Sequence, residues 1–197
     1  LSDIKQAIDL GNKVSVSVFP SQHSCVWSHD RPIDSDEVCI GDLGVLWQDR
    51  QERFAGIKDW MRSLDEASKQ HIRSSFQGAR GDGGAFVYLF HMPDGTLLYQ
   101  DTSGHWTGIF EDLQPDVAIL AAAGRGNING EPTQGSLAEF VAHQANLLDP
   151  KKVILSHHDN WLPGFSIDTD IEPIRAELRR TVPSTELIDL QYLEGTE

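Results

Sequence analysis

His23, Asp101 and the pair His157-His158 each come just after an apolar run that reads as a β-strand. The stretches are PSQHSC (residues 20–25), LLYQDTSGHW (97–106) and KKVILSHHDNW (151–161). Imidazole nitrogen and carboxylate oxygen are donors that divalent first-row metals accept. Strand ends are where a rigid scaffold presents functional groups. Three such groups from three distant stretches predict one convergent site around a divalent metal. Each alone has a plainer explanation. Asp101, before Thr102, Ser103 and Gly104, could simply cap a turn, and a loop histidine is solvated more often than it is a ligand. As a ligand, Asp101 could offer one or both oxygens or bridge two ions. Neighbouring histidines on extended backbone point opposite ways. One of the pair is therefore expected to reach the metal, the other to contact substrate or orient a ligand.

The other histidines carry less. His71 falls on a helical pattern, His91 in a hairpin and His143 on a helix, where it reads as structural; His29 has no comparable context. His105 is close enough to Asp101 to stay a weak site candidate. Cys25 lies two residues from His23, but a small buried thiol is the commoner role for such a residue. The glycine-rich GARGDGG (78–84) lacks the GK[ST] ending of a phosphate loop and precedes a strand, not a helix. No G-x-S-x-G elbow occurs, which removes a metal-independent α/β-hydrolase.

The elements that must position these groups are legible in outline. Residues 13–19 (KVSVSVF) alternate strictly and predict a strand ending at Pro20. Residues 85–91 and 96–100 flank Met92-Pro93-Asp94-Gly95, a hairpin turn signal, so the second hairpin strand runs straight into Asp101. Residues 116–122 and 153–155 predict buried strands. Ser136 to Leu148 predicts a helix with a capping box from Ser136 and Glu139. Helices are also expected over 2–10, 49–76 with a break near Asp65, and 168–180; strand character is expected around 38–47 and 186–193, and loop over 124–135. Alternating strands and helices in the second half argue for an α/β layered fold, and the hairpin makes the sheet mixed.

Composition narrows the partners. The 197 residues suffice for one domain with a sizeable core. A formal net charge of −14 repels phosphate backbones, so no nucleic-acid partner is expected. No apolar run approaches membrane-spanning length. Two cysteines exclude a disulfide scaffold and favour a cytoplasmic protein with reduced thiols. No signal peptide is read at the start.

Together these signatures resemble the metallo-β-lactamase superfamily, and most of all the branch with the N-acyl-phosphatidylethanolamine phospholipases and ascorbate-phosphate lactonases. Its P-[AS]-Q-H segment is matched by Pro20 to His23. Its D-T-G segment is matched at Asp101, although Ser103 separates Thr102 from Gly104. Its P-D-[LV]-A strand is matched by Pro115 to Ala118, and its K-x-V-[IA]-x-x-H strand by Lys151 to His157. The resemblance implies an αββα sandwich of mixed sheets with flanking helices, in a single domain over residues 1–197. It implies metal ligands at His23, Asp101 and His157, with Asp101 bridging two ions and orienting a metal-bound hydroxide. His158, Asp159 and the loop from Gly124 to Gly130 would face a small-molecule substrate, an ester, lactone or phosphodiester. Two zinc ions are expected, with manganese, iron or nickel as open alternatives.

Two departures qualify it. The superfamily's H-x-H-x-D-H signature is absent, so the chain is expected to be the C-terminal portion of a larger enzyme, its sandwich incomplete at the N-terminus. Residues 28–80 are longer than that branch carries and read as an insertion that caps the site, shapes substrate choice or forms a homo-oligomer contact. Its aromatic Trp47, Phe54 and Trp60 suit core packing better than a pocket. The competing expectation is a catalytically silent member of the same fold, serving as a binding or assembly module.

Overall fold

The computed structural model describes residues 7–24, 55, 58–76, 85–129, 131–133, 135–160 and 168–190. A seven-stranded mixed sheet dominates, in the order β1-β2-β3-β4-β6-β9-β10. Its strands are β1 (Ile8–Gly11), β2 (Val14–Pro20), β3 (Phe86–Met92), β4 (Gly95–Gln100), β6 (Val117–Ala121), β9 (Lys152–Ser156) and β10 (Glu186–Ile188). The first four pair antiparallel, and β4, β6, β9 and β10 run parallel. A small second sheet joins β5 (Gly104–His105), β7 (Asn127–Ile128) and β8 (Glu131–Pro132). The helices are α1 (58–63), α2 (Glu66–Phe76), α3 (Thr107–Phe110), α4 (Leu137–Leu148) and α5 (Glu172–Thr181). The expected α/β class, a large mixed sheet with flanking helices, is what the structure has.

This topology sets up the site. β2 is antiparallel to β3 and β3 to β4, so β2 points the same way as β4, β6 and β9. The C-terminal ends of all four strands open onto one edge of the sheet. In α/β sheets such edges are where ligands bind.

Strand alternation divides the sheet into two faces. One carries Val87, Leu89, Leu98, Ala118, Leu120 and Val153, all buried. They form a single core with Phe110 of α3, Phe140, Val141 and Leu148 of α4, and Ile174 and Leu178 of α5. The other face is also apolar. The register aligns Ile8, Val16, Phe90, Leu97 and Val117 in one row, and Val18, Tyr88, Tyr99, Ile119, Ile154 and Ile188 in the next. Val16 is buried, Ile8 is exposed and the rest are half-buried.

Several expectations are met at the level of single hydrogen bonds. The capping box of α4 is complete: Glu139 N donates to Ser136 Oγ at 3.2 Å and Ser136 N to Glu139 Oε2 at 2.8 Å. The break near Asp65 is the cap of α2, where Ser68 N donates to Asp65 Oδ1 at 2.7 Å. The hairpin turns at Pro93-Asp94, and Gly95 takes φ +152°, beyond the reach of a side-chain-bearing residue without strain.

Other expectations are corrected. The helix expected over residues 2–10 is, where described, strand β1, because Ile8 pairs with Val16 and the ladder to β2 outweighs local helix propensity. The expected loop 124–135 contains β7 and β8, too short to show periodicity. The helix expected from Asp168 begins at Glu172, with Pro173 in its first turn. The strand character near 38–47, the GARGDGG segment and Cys25, His29, Trp47 and Phe54 lie outside the described residues. Among the described residues no helix is long and apolar enough to cross a membrane.

Candidate functional site

The site is built where β2, β4 and β9 end. Asp101 is the first residue past β4 and His157 the first past β9. His157 Nε2 lies 3.8 Å from Asp101 Oδ2, and both side chains are partly exposed. Ser156 Oγ donates to the other carboxylate oxygen, Asp101 Oδ1, at 3.1 Å. His157 has φ +60°, left-handed backbone that a non-glycine residue holds at a cost of about 1–3 kcal/mol. Its backbone thus leaves the strand, and the simple alternation expected of His157 and His158 does not apply. The His158 carbonyl accepts from Thr169 N at 2.8 Å, and Asn160 N donates to Asp168 Oδ1 at 3.1 Å. The loop after β9 is thereby tied to the segment that leads into α5.

His23 sits in the loop after β2, and two contacts hold that loop, one from the Asp101 turn and one from β7. Ser24 N donates to Thr102 Oγ1 at 2.9 Å, and Asn127 Nδ2 donates to the His23 carbonyl at 3.0 Å. The His23 ring is exposed and turned toward its own loop, with Nδ1 2.9 Å from the Ser24 carbonyl oxygen. Its backbone belongs to the site, while its ring contacts neither Asp101 nor His157 among the contacts described.

A buried amide supports both loops. Gln100 is fully buried at the end of β4. Its Nε2 donates to Ser21 Oγ at 2.9 Å and to the Thr102 carbonyl at 3.0 Å, and it also meets the Gly104 carbonyl. Ser21 in turn donates to the Gly104 carbonyl at 2.9 Å. Gly104 packs so closely on this loop that a Cβ would collide with the Gln22 carbonyl. Gln100, Ser21 and Ser156 had no individual signal in the sequence. A polar residue at a core position of an alternating strand was the one available hint, and it applies to Gln100.

His105 is corrected from weak site candidate to core residue. It is fully buried in β5, stacked on Phe110 with ring centroids 4.6 Å apart, and packed near Phe140 and His143. Burial, with the neighbouring His143, pushes its pKa down to about 3. Gln144 Nε2 lies 3.3 Å from its Nδ1. The loop after β6 also differs from expectation: Asn127 N donates to the Ser103 carbonyl and Asn129 N to the His105 carbonyl, so those two amides are already engaged. Beside Asp101, burial first and then the carboxylate raise the Tyr99 phenol above its ordinary pKa, so it keeps its proton at neutral pH.

The donor types at this edge suit a divalent metal: one carboxylate oxygen and one imidazole nitrogen on strand ends two apart in the sheet. A catalytic zinc takes three protein ligands. Among the described residues no three His, Cys, Asp or Glu side chains come together. The described residues therefore bring a carboxylate and an imidazole into one place, with His23 on an adjoining loop.

No protein-family model matches the sequence, and no curated protein matches it. Two of the solved structures that align with the chain are, by their descriptions, a metallo hydrolase and a metallo-beta-lactamase fold protein. Igni18, described as a metallo hydrolase from the hyperthermophilic archaeon Ignicoccus hospitalis, aligns with a TM-score of 0.48 and 14% identity, over 96% of this chain and 56% of its own. YhfI from Bacillus subtilis, described as a metallo-beta-lactamase fold protein, aligns with a TM-score of 0.34 and 15% identity, over 53% of this chain and 41% of its own. The chain thus spans little more than half the length of the first.

Proposed function

We propose that the intact protein is a metal-dependent hydrolase acting on an ester, lactone or phosphodiester bond of a small molecule. Asp101, His157 and His23 would hold the metal, and His158 would face the substrate. The observation that carries this reading is the meeting of Asp101 and His157 at 3.8 Å, from strands separated by more than fifty residues of sequence, at the sheet edge where β2 also ends. A divalent ion, when bound, lowers the pKa of a coordinated water to about 7 and so supplies a nucleophile at neutral pH. The chain's own residues do the rest. Gln100 and Ser21 fix the two loops, and Tyr99 offers a proton-bearing phenol beside the carboxylate. Zinc suits imidazole and carboxylate donors, two ions being the expectation; manganese, iron and nickel are alternatives. Within this reading residues 28–80 are an insertion and the protein is cytoplasmic.

A second reading, a catalytically silent binding or assembly module, is favoured by one observation: the described residues assemble no group of three ligands. Elemental analysis of the full-length gene product separates the two. About two equivalents of metal, lost in His157→Ala together with hydrolysis of ester, lactone or phosphodiester substrates, is the result expected of the hydrolase. A full-length protein without metal would leave the binding module.

A further inference from the structure

Ser156 closes β9 immediately before His157. Its main chain is anchored, since Ala122 N donates to the Ser156 carbonyl at 2.8 Å. Its hydroxyl donates to Asp101 Oδ1, leaving Oδ2 as the oxygen nearest His157 Nε2. The two residues belong to strand ends two apart in the sheet, with β6 between them. The register sets Gln100 beside Leu120 and Ala121 beside Ser156. One further step of it lines up Asp101, Ala121 and Ser156 in a row. Strands two apart are separated by roughly 9.5 Å, and a serine hydroxyl can meet a carboxylate across that gap only over a very small residue. The middle residue is Ala121, buried, with one methyl group. A β-branched side chain there would stand in the path.

We propose that Ser156 is a positioning residue: reaching over Ala121, it holds the Asp101 carboxylate in one orientation, one oxygen tied down and the other presented toward His157. This rests on the reading of Asp101 and His157 as donors of one centre. Without the hydroxyl, a partly exposed carboxylate at a strand end is free to turn about two single bonds. Loss of a hydrogen bond to a metal-ligating carboxylate typically changes metal affinity by about 10–100-fold.

The test has two readouts on the same proteins. The first is the χ1 rotamer of Asp101 in metal-free protein, from three-bond couplings by NMR. The second is zinc affinity by competition with a chromophoric chelator. Wild type and Ser156→Thr are expected to show one Asp101 rotamer and zinc affinities within a few-fold of each other. Ser156→Ala and Ala121→Val are expected to show rotamer averaging, and Ser156→Ala to bind zinc about 10–100-fold more weakly. A single fixed rotamer with unchanged zinc affinity in Ser156→Ala overturns the proposal. A rotamer that averages on loss of Ser156, in a protein whose wild type takes up no zinc, upholds the positioning role and removes the metal reading instead.

Discussion

His105 shows how far a single residue's role depends on where it is buried. Among the described residues, its own Nε2 and the nearby Gln144 Oε1 are buried without a hydrogen-bond partner, and the ring sits against Phe110. Its proton affinity carries a prediction. The unfolded histidine protonates near 6.5, whereas the folded one stays neutral until about 3. Between these values the unfolded chain binds more protons, so stability rises with pH across the window and is lost as pH falls from 6.5 toward 3. The group contributes a slope of up to about 1.4 kcal/mol per pH unit. Urea unfolding of His105→Gln at pH 7, 6 and 5 is expected to show lower stability at pH 7 and a flatter pH dependence than wild type. An unchanged slope would show that His105 is not held neutral. By sequence His105 was only a weaker candidate than His157, which directly follows an apolar run; its burial within β5 against α3 and α4 is what removes it from the strand-end edge.

At the scale of elements, local chemistry and the ladder compete. α4 was legible because its N-terminus is written in adjacent residues: Ser136 and Glu139 close a capping box whatever the rest of the chain does. Ser136→Ala is expected to cost about 1 kcal/mol and to lower Tm by about 2–4 °C, read by thermal unfolding at neutral pH. A shift below half a degree would mean that packing of Phe140 and Val141, not the cap, determines where the helix starts. β1 is the opposite case. Its residues 8–10 belong to a stretch that reads as helix, yet Ile8 pairs with Val16 across a turn in which Asn12 and Lys13 both take positive φ. Hydrogen bonding to β2 decided that segment, and such pairing is invisible to any window that sees only neighbours. β5, β7 and β8 were missed for a related reason: strands of two residues have no period to detect.

At the scale of the molecule, the described residues form a sheet with two apolar faces of unequal burial. Leu98 is fully buried beneath the helices, whereas Phe86 on the other face is 47% exposed. Leu98→Ala is therefore expected to cost about 2–5 kcal/mol and Phe86→Ser about 1 kcal/mol or less, measured by urea denaturation of both variants. Equal costs would place a covering layer over both faces. The strand-by-strand hydropathy already specified the second half of the sheet, the hairpin, α4 and the positions of Asp101 and His157 at strand ends, because alternation and turn chemistry are local properties. The resemblance to metallo-β-lactamase-like proteins also came from short segments and their order. Which groups meet was decided only in three dimensions. The common direction of β2, β4 and β9 brings their ends to one edge, and the row through Ala121 lets Ser156 reach Asp101. Gln100, an ordinary strand residue by sequence, becomes the hub between two loops because its neighbours come from β2 and the Asp101 turn. Contacts of this kind depend on the pairing of strands far apart in the chain, and a single sequence records the strands without recording which of them are neighbours.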